Sequence, residues 1–338
     1  MICVPVLDAP FAWEESPAID YEALHAAHPA LAEFKSRLGG TDLIEVPGLP
    51  GSARILAKCE WQNPVGSIKD RVAYALMCDA LTRHGTRPLS ELKILEYSGG
   101  NLAGALSYLG AALGIPMRFV LSSASPASLL NVLDQRGARV DLVDKERGFI
   151  AVVQTALRIA EEEPEWTLLY QHRNPVNLTF HRDTTGAEIL EQLGTQAPSA
   201  WVASIGTGGS LIGVSRVLRK AFPAMRTIGV TPAELPYGSE LPPNGLPKYA
   251  GSGGMGAGVR QPFVRMDDDI VEHRSVSFPD AIKGMAEFYA LTDIKIGSSA
   301  AANWLIARQI ASELPADATV VTVFPCAGTP EEWKRALS

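Results

Sequence analysis

The chain has 338 residues, of which 46% are hydrophobic and 20% charged. That length and balance suit about two packed domains and exclude disorder as the prevailing state. A net charge of −7 gives no global attraction to nucleic acid or to an anionic membrane, so neither is expected as a partner. No apolar run reaches the length of a membrane span. The start, Met1-Ile2-Cys3-Val4-Pro5, lacks a basic segment followed by a long apolar one, so no signal peptide is expected. The cysteines Cys3, Cys59, Cys78 and Cys326 form no CxxC pair and read as reduced thiols of a cytoplasmic protein. No Cys/His cluster has the spacing of a zinc site, so no metal is expected.

Residues 1–40 carry Pro5, Pro10, Pro17 and Pro29 around a helical pattern at 21–38. They are predicted to form an N-terminal arm packed on the main body. From about residue 53, short β-branched runs alternate with longer helical patterns. Strands are predicted at 54–59, 93–97, 118–121, 139–143, 167–170, 201–205, 227–230 and 319–324. Helices are predicted at 69–82, 101–113, 127–136, 149–162, 185–193, 211–221, 280–291 and 300–314. Several of the strands are apolar without alternation, as in a parallel sheet covered on both faces. The alternation itself argues for an α/β architecture with right-handed crossovers. Residues 232–263, rich in proline and glycine, break the pattern and read as a functional loop.

Four segments carry chemistry. Gly206-Thr207-Gly208-Gly209-Ser210 follows a predicted strand and opens a helix. Glycines let backbone N–H groups converge on an anion, and the helix start adds partial positive charge. No Gly-Lys-Ser/Thr follows, and Leu211 stands where a dinucleotide fingerprint needs glycine, so the segment suits a single phosphate. A plain glycine-rich connection fits it equally well. In Asn63-Pro64-Val65-Gly66-Ser67-Ile68-Lys69-Asp70-Arg71 a turn leads into a helix, with Lys69 in its first turn. The helix dipole disfavours a cation there, which lowers an amine's pKa as a Schiff-base lysine requires. For an arbitrary lysine, an exposed side chain paired with a nearby acid is the commoner arrangement.

The third segment, Ser98-Gly99-Gly100-Asn101-Leu102, is another strand–turn–helix junction. Its helix-start N–H groups can hold an anion, and Asn101 can donate to a ring oxygen or a carboxylate. The fourth, Gly297-Ser298-Ser299-Ala300, is narrow enough for a flat ring to approach, and a serine hydroxyl can hydrogen-bond a pyridine nitrogen. Helix capping by Asn or Ser is the commoner use of such residues. A lysine, a single-phosphate cup, an asparagine and a serine together are what pyridoxal 5′-phosphate needs.

At this point the chain resembles the cysteine synthase family (O-acetylserine sulfhydrylase and cystathionine β-synthase), which are fold-type II pyridoxal-phosphate enzymes. Asn63-Pro64-Val65-Gly66-Ser67-Ile68-Lys69-Asp70-Arg71 is similar to the family's lysine motif. Ser98-Gly99-Gly100-Asn101-Leu102 stands at its carboxylate loop. Gln171-His172-Arg173-Asn174-Pro175-Val176-Asn177 and His181-Arg182-Asp183-Thr184-Thr185-Gly186-Ala187-Glu188-Ile189 resemble two further motifs, and the glycine turn and Ser298 follow in family order. The resemblance covers about residues 40–330. It implies a tryptophan synthase β-like fold of two three-layer α/β domains with the cofactor cleft between them, in a homodimer. The large cofactor-binding domain would be 41–61 plus 175–338, and the small substrate-side domain 62–174. Carried over, Lys69 would be the Schiff-base lysine and catalytic residue. Gly206, Thr207, Gly208, Gly209 and Ser210 would hold phosphate, Asn101 the ring hydroxyl and Ser298 the pyridine nitrogen. Ser98, Gly99, Gly100, Asn101, Leu102 and Gln171 would bind the substrate carboxylate.

Departures from the family pattern shape the functional expectation. Gly99 and Leu102 replace hydroxyl residues of a Thr-Ser-Gly-Asn-Thr loop, and each lost donor to a charged group matters by about 1.5–3 kcal/mol. Thr231 replaces a glutamate, and Pro325-Cys326-Ala327-Gly328 replaces a serine-containing turn. Cys326 reads as a buried structural thiol, since nothing in the sequence activates it. No regulatory C-terminal domain is expected. The expected reaction is β-replacement on an O-activated L-serine, a small amino-acid substrate, through an aminoacrylate. Sulfide is the family's usual nucleophile; the altered loop points to a different nucleophile in a specialised pathway. A serine at the ring nitrogen makes the ring less electron-withdrawing and favours elimination and addition over transamination. Two alternatives stand beside this. One is a β-elimination lyase or serine/threonine dehydratase. The other is a silent cofactor-binding partner protein, against which the intact Lys69, Asn101 and Ser298 speak.

Overall fold

The computed structural model describes residues 17–235, 237, 238 and 260–338. Cys3 and most of the glycine- and proline-rich stretch read as a functional loop, residues 236 and 239–259, lie outside the described residues. After two short helices, α1 (Tyr21–Ala27) and α2 (Pro29–Ser36), come β1 (Leu43–Val46), β2 (Arg54–Cys59) and α3 (Lys69–His84). Next are β3 (Lys93–Tyr97), α4 (Asn101–Leu113), β4 (Met117–Ser122), α5 (Ala127–Gln135), β5 (Arg139–Val143), α6 (Gly148–Glu162) and β6 (Trp166–Leu168). A helical stretch made of α7 (Pro175–Phe180), a wide π turn (His181–Gly186) and α8 (Ala187–Leu193) leads to β7 (Ala200–Ser204), α9 (Gly209–Ala221) and β8 (Arg226–Pro232). Last come α10 (Pro262–Arg265), β9 (Val271–Val276), α11 (Phe278–Thr292), α12 (Ser298–Ser312), β10 (Thr319–Phe324) and α13 (Pro330–Ala336).

The strands form two sheets. One has six strands in the order β1-β2-β10-β7-β8-β9, the other four in the order β5-β4-β3-β6. Only β1 pairs antiparallel, with Leu43 opposite Lys58; among the described residues every other pairing is parallel. The central strands β7 and β10 are buried at every position, which is why they read as unbroken apolar runs. The edge strands β1 and β9, with Glu45, Glu272, His273 and Arg274 among their residues, escape the sequence pattern because an edge is covered on fewer sides.

Parallel pairing puts the loops after β2, β7 and β10 on one rim, since Phe324 lies opposite Cys59 and Thr322 opposite Val202. In open α/β sheets ligands bind outside the carboxyl ends of the strands. The predicted helix at 21–38 is instead two helices. His28 precedes Pro29, and its φ of −131° and ψ of 80° are the extended geometry that a following proline imposes. These helices are pinned to α3: Leu31 and Phe34 are buried, Tyr21 stacks on Tyr74 at 6.1 Å, and His25 Nε2 lies 2.7 Å from the Tyr74 hydroxyl. The predicted helix at 185–193 begins two residues late, because the π turn occupies residues 181–186.

A buried ion cluster fixes the start of α3. The Arg71 guanidinium bridges Glu60 at 2.7 Å and Glu188 at 2.6 Å, and Lys58, fully buried, reaches Glu188 at 2.8 Å. Two carboxylates face two cations there, so the charges are paired as burial requires. Burial would raise the Glu188 carboxyl, but hydrogen bonds and charge from Arg71 and then Lys58 hold it down at about 2.

Candidate active site

Lys69 is the first residue of α3. The loop before it is closed by Asp70, whose carboxylate accepts the Val65 N–H at 2.6 Å, the Gly66 N–H at 3.1 Å and the Ser67 hydroxyl at 3.2 Å. Burial pushes the Asp70 carboxyl up to about 6, against those three hydrogen bonds. The Ile68 N–H donates to the Pro325 carbonyl at 2.8 Å, which joins the lysine loop to the turn after β10. Lys69 is half-buried and forms no ion pair with any described residue. Desolvation lowers its amine to about 8.

Cys326 is the hub of this corner. It pairs with Ser67 in an isolated β-bridge, and its carbonyl accepts the Gly297 N–H at 2.9 Å. The Asn101 side chain hydrogen-bonds its thiol, and Lys69 and Glu332 both lie within electrostatic reach. Burial, with a smaller contribution from Glu332, pushes the thiol up to about 11. The group is therefore protonated at neutral pH, a structural thiol rather than a nucleophile. Four of the predicted elements thus converge: Lys69, Asn101, the 325–328 turn and the start of α12.

At that start, Ser298 is fully buried and its hydroxyl donates to Glu332 on α13. The other oxygen of Glu332 accepts the Thr329 N–H at 2.8 Å in a reciprocal capping box. Sequence reasoning passed over Glu332. Its only signal is Thr329 three residues ahead, which marks a helix start and nothing more.

The glycine turn opens α9, a 13-residue helix. Gly208 has φ +85°, and a Cβ on it would lie 2.5 Å from Val264 Cγ2. A Cβ on Gly209 would lie 2.4 Å from Asn177 Oδ1. Both positions therefore need glycine, which leaves bare backbone at the helix start. Thr207 is buried; its hydroxyl accepts from Asn177 Nδ2 at 3.0 Å and from the Gly209 N–H at 3.2 Å. Gly206 and Ser210 are half-buried. Asn177, another residue that sequence reasoning left without a role, also donates to the Gln171 carbonyl at 2.8 Å. Gln171 in turn donates to the Tyr97 carbonyl at 2.8 Å. This chain of contacts ties the glycine turn to the loop after β3.

In that loop, the Ser98 hydroxyl accepts the Gly100 N–H at 3.4 Å. Gly99 faces Ser125, whose Oγ would lie 3.1 Å from an added Cβ. Leu102 packs into the core, 1% exposed, so only its backbone is left for a ligand. Beside the loop stands an unpredicted pair: the Tyr97 hydroxyl and His172 Nδ1 are 2.7 Å apart, with the rings stacked at 5.3 Å. Burial, then the nearby Lys69, drives His172 down to about 3, so the imidazole is neutral. Glu96, fully buried, accepts the Tyr97 and Gln171 N–H groups, and burial raises its carboxyl to about 8.

The residues present fit pyridoxal phosphate: a desolvated amine without an acidic partner among the described residues, a glycine cradle at a helix start for one phosphate, and a hydroxyl and an amide flanking the lysine corner. Among the described residues no helix is long and apolar enough to cross a membrane.

Residues 35–325 match the pyridoxal-phosphate dependent enzyme family. A cysteine synthase from Staphylococcus aureus (strain N315) is 30% identical over 301 residues, covering 86% of this chain and 92% of that protein. The crystal structure of an O-acetylserine dependent cystathionine beta-synthase from Helicobacter pylori is similar with a TM-score of 0.78 and 26% identity, covering 90% of this chain and 96% of that one. That of O-acetyl serine sulfhydrylase isoform 3 from Entamoeba histolytica gives 0.74 and 26%, covering 90% and 94%. The two-sheet α/β architecture is thus the fold-type II arrangement, and the chain belongs to the pyridoxal-phosphate dependent enzyme family.

Proposed function

We propose that the chain catalyses β-replacement on an O-activated L-serine. The observation that carries this is Lys69: a half-buried amine that forms no ion pair with any described residue, lowered to about 8 by desolvation, and lying with Asn101 within reach of Cys326, whose carbonyl holds the Gly297 N–H just before Ser298. When bound, pyridoxal phosphate supplies an aldehyde that captures an amine and a conjugated ring that accepts an electron pair from Cα. Gly206, Thr207, Gly208, Gly209 and Ser210 would hold its phosphate, Asn101 its ring hydroxyl and Ser298 its ring nitrogen.

The Lys69 amine, once free, takes the proton from the substrate Cα. A base near pH 8 carries an unprotonated fraction at neutral pH, as general-base work requires. The Cβ–O bond breaks with its electron pair leaving on the activated oxygen. A nucleophile then forms a new bond at Cβ, and Lys69 returns the proton to Cα. Ser98, Gly99, Gly100, Asn101, Leu102 and Gln171 would hold the α-carboxylate, largely through backbone N–H groups. The S. aureus relative is a cysteine synthase and the H. pylori one is dependent on O-acetylserine, which supports an acetylated donor here. A non-sulfide nucleophile in a specialised pathway remains our reading of the Gly99 and Leu102 replacements. The same replacements favour a second reading, elimination to pyruvate, since fewer donors hold the carboxylate. We further infer a cytoplasmic homodimer, which sedimentation of the purified protein tests.

The test is the visible spectrum of the reconstituted protein titrated with O-acetylserine and O-phosphoserine. The cofactor band should shift with one donor, and Lys69→Ala should lose that response. Pyruvate release without an added nucleophile selects elimination; an unchanged band with both donors overturns the proposal.

A further inference from the structure

We propose that Glu332 sets the polarity of the Ser298 hydroxyl, so that Ser298 offers the cofactor's ring nitrogen a lone pair rather than a hydrogen. The inference rests on the reading above that Ser298 faces that nitrogen. The starting point is a buried pair. Ser298 is 0% exposed and Glu332 2% exposed, and the hydroxyl donates to Oε1 of the carboxylate. Oε2 is engaged by the Thr329 N–H at 2.8 Å, while the Glu332 N–H donates to Thr329 Oγ1 at 3.2 Å. The capping box therefore holds the carboxylate still, with Oε1 turned to Ser298.

A carboxylate is acceptor-only, and a hydroxyl has one hydrogen and two lone pairs. With its hydrogen given to Glu332, the Ser298 oxygen has only acceptor capacity left. An unprotonated pyridine nitrogen would then meet lone pair against lone pair; a protonated one makes a hydrogen bond. The buried negative charge behind the serine favours the protonated ring in the same direction. This reverses the expectation for a serine at this position, where the hydroxyl donates and the ring stays neutral. A protonated ring draws more electron density from Cα. Glu332 thus acts through Ser298 as a positioning residue.

The experiment is the 15N NMR shift of the ring nitrogen in holoenzyme reconstituted with 15N-labelled pyridoxal phosphate, at neutral pH. The wild type should resonate at the position of a protonated pyridine. Glu332→Gln keeps a residue that completes a capping box, yet its amide can donate to Ser298 and free the hydroxyl hydrogen for the ring. Its resonance should move toward the unprotonated position. Thr329→Ala, which breaks the cap and spares the Ser298 contact, should leave the resonance where it is. A wild-type resonance in the unprotonated position overturns the proposal, whether or not any variant folds. So does a Glu332→Gln resonance that stays with the wild type, which would make Glu332 a helix cap only. Ser298→Ala separates the two layers: an unmoved resonance with an intact cofactor band removes Ser298 from the nitrogen and overturns this inference while β-replacement stands. Loss of the band's response to serine donors in the wild type overturns the functional reading instead.

Discussion

Asn177 donates one side-chain amide to both the Thr207 hydroxyl, at 3.0 Å, and the Gln171 carbonyl, at 2.8 Å. Gln171 follows the strand that closes the four-stranded sheet, and Thr207 follows a central strand of the six-stranded one. The contact fastens the glycine turn to the segment after β6, and it requires that nothing stand between Asn177 and the start of α9.

Gly209→Ala should therefore disrupt cofactor binding. Its Cβ would sit 2.4 Å from Asn177 Oδ1, so Asn177 must retreat from Thr207. Affinity for pyridoxal phosphate, read by equilibrium dialysis, should drop at least about tenfold, which is about 1.4 kcal/mol. An affinity equal to the wild type would show that the turn does not hold the phosphate.

Lys69→Met should stabilise the cofactor-free protein. A half-buried amine lowered by desolvation from 10.5 to about 8 penalises the fold while it is charged. The penalty is complete below pH 8, declines as pH rises to 10.5, and then vanishes. Below pH 8 the variant should gain up to about 3 kcal/mol in urea unfolding, and the gain should shrink above that pH. A variant no more stable than the wild type at pH 7 contradicts the desolvated amine.

Tyr97 and His172 should behave as a unit. Removing the hydroxyl in Tyr97→Phe leaves a buried imidazole nitrogen without its partner, at a cost of about 1–3 kcal/mol. His172→Phe strands the hydroxyl at a similar cost. The double variant should cost less than the two together, because no polar group is then orphaned. Denaturant unfolding of all three variants measures the coupling; strict additivity would refute it.

Acid should release the Glu188 cluster. Its carboxyl lies at about 2 in the fold against 4.5 unperturbed. The folded pKa is depressed, so the stabilisation is present above pH 4.5 and is lost as pH falls toward 2. It amounts to up to about 3 kcal/mol. Glu188→Gln should be destabilised at neutral pH, and its deficit should narrow across that window. A deficit independent of pH would show that the loss comes from packing and not from charge.

Strand–helix alternation was legible because it is local. Helix α4 and strands β2, β3, β5 and β10 match their sequence patterns, since a helix or strand writes its period into consecutive residues. The turn before Lys69, the glycine turn and the start of α12 were legible for the same reason. Strands β1 and β9 were not, because charged or polar residues interrupt their apolar runs.

Tertiary structure alone decided the surroundings of those residues. The sequence placed Lys69 at a helix start, but it is desolvation in the folded protein that lowers its amine. Tyr97 and His172 stand 75 residues apart in the chain, and only the fold stacks them. Family resemblance alone implies a ring nitrogen for Ser298, and only the docking of α13 brings the Glu332 carboxylate to that serine. Spacing along a chain records which backbone geometry a residue enters. Which charge or hydroxyl meets it from another element depends on how the layers dock, and no local pattern carries that information.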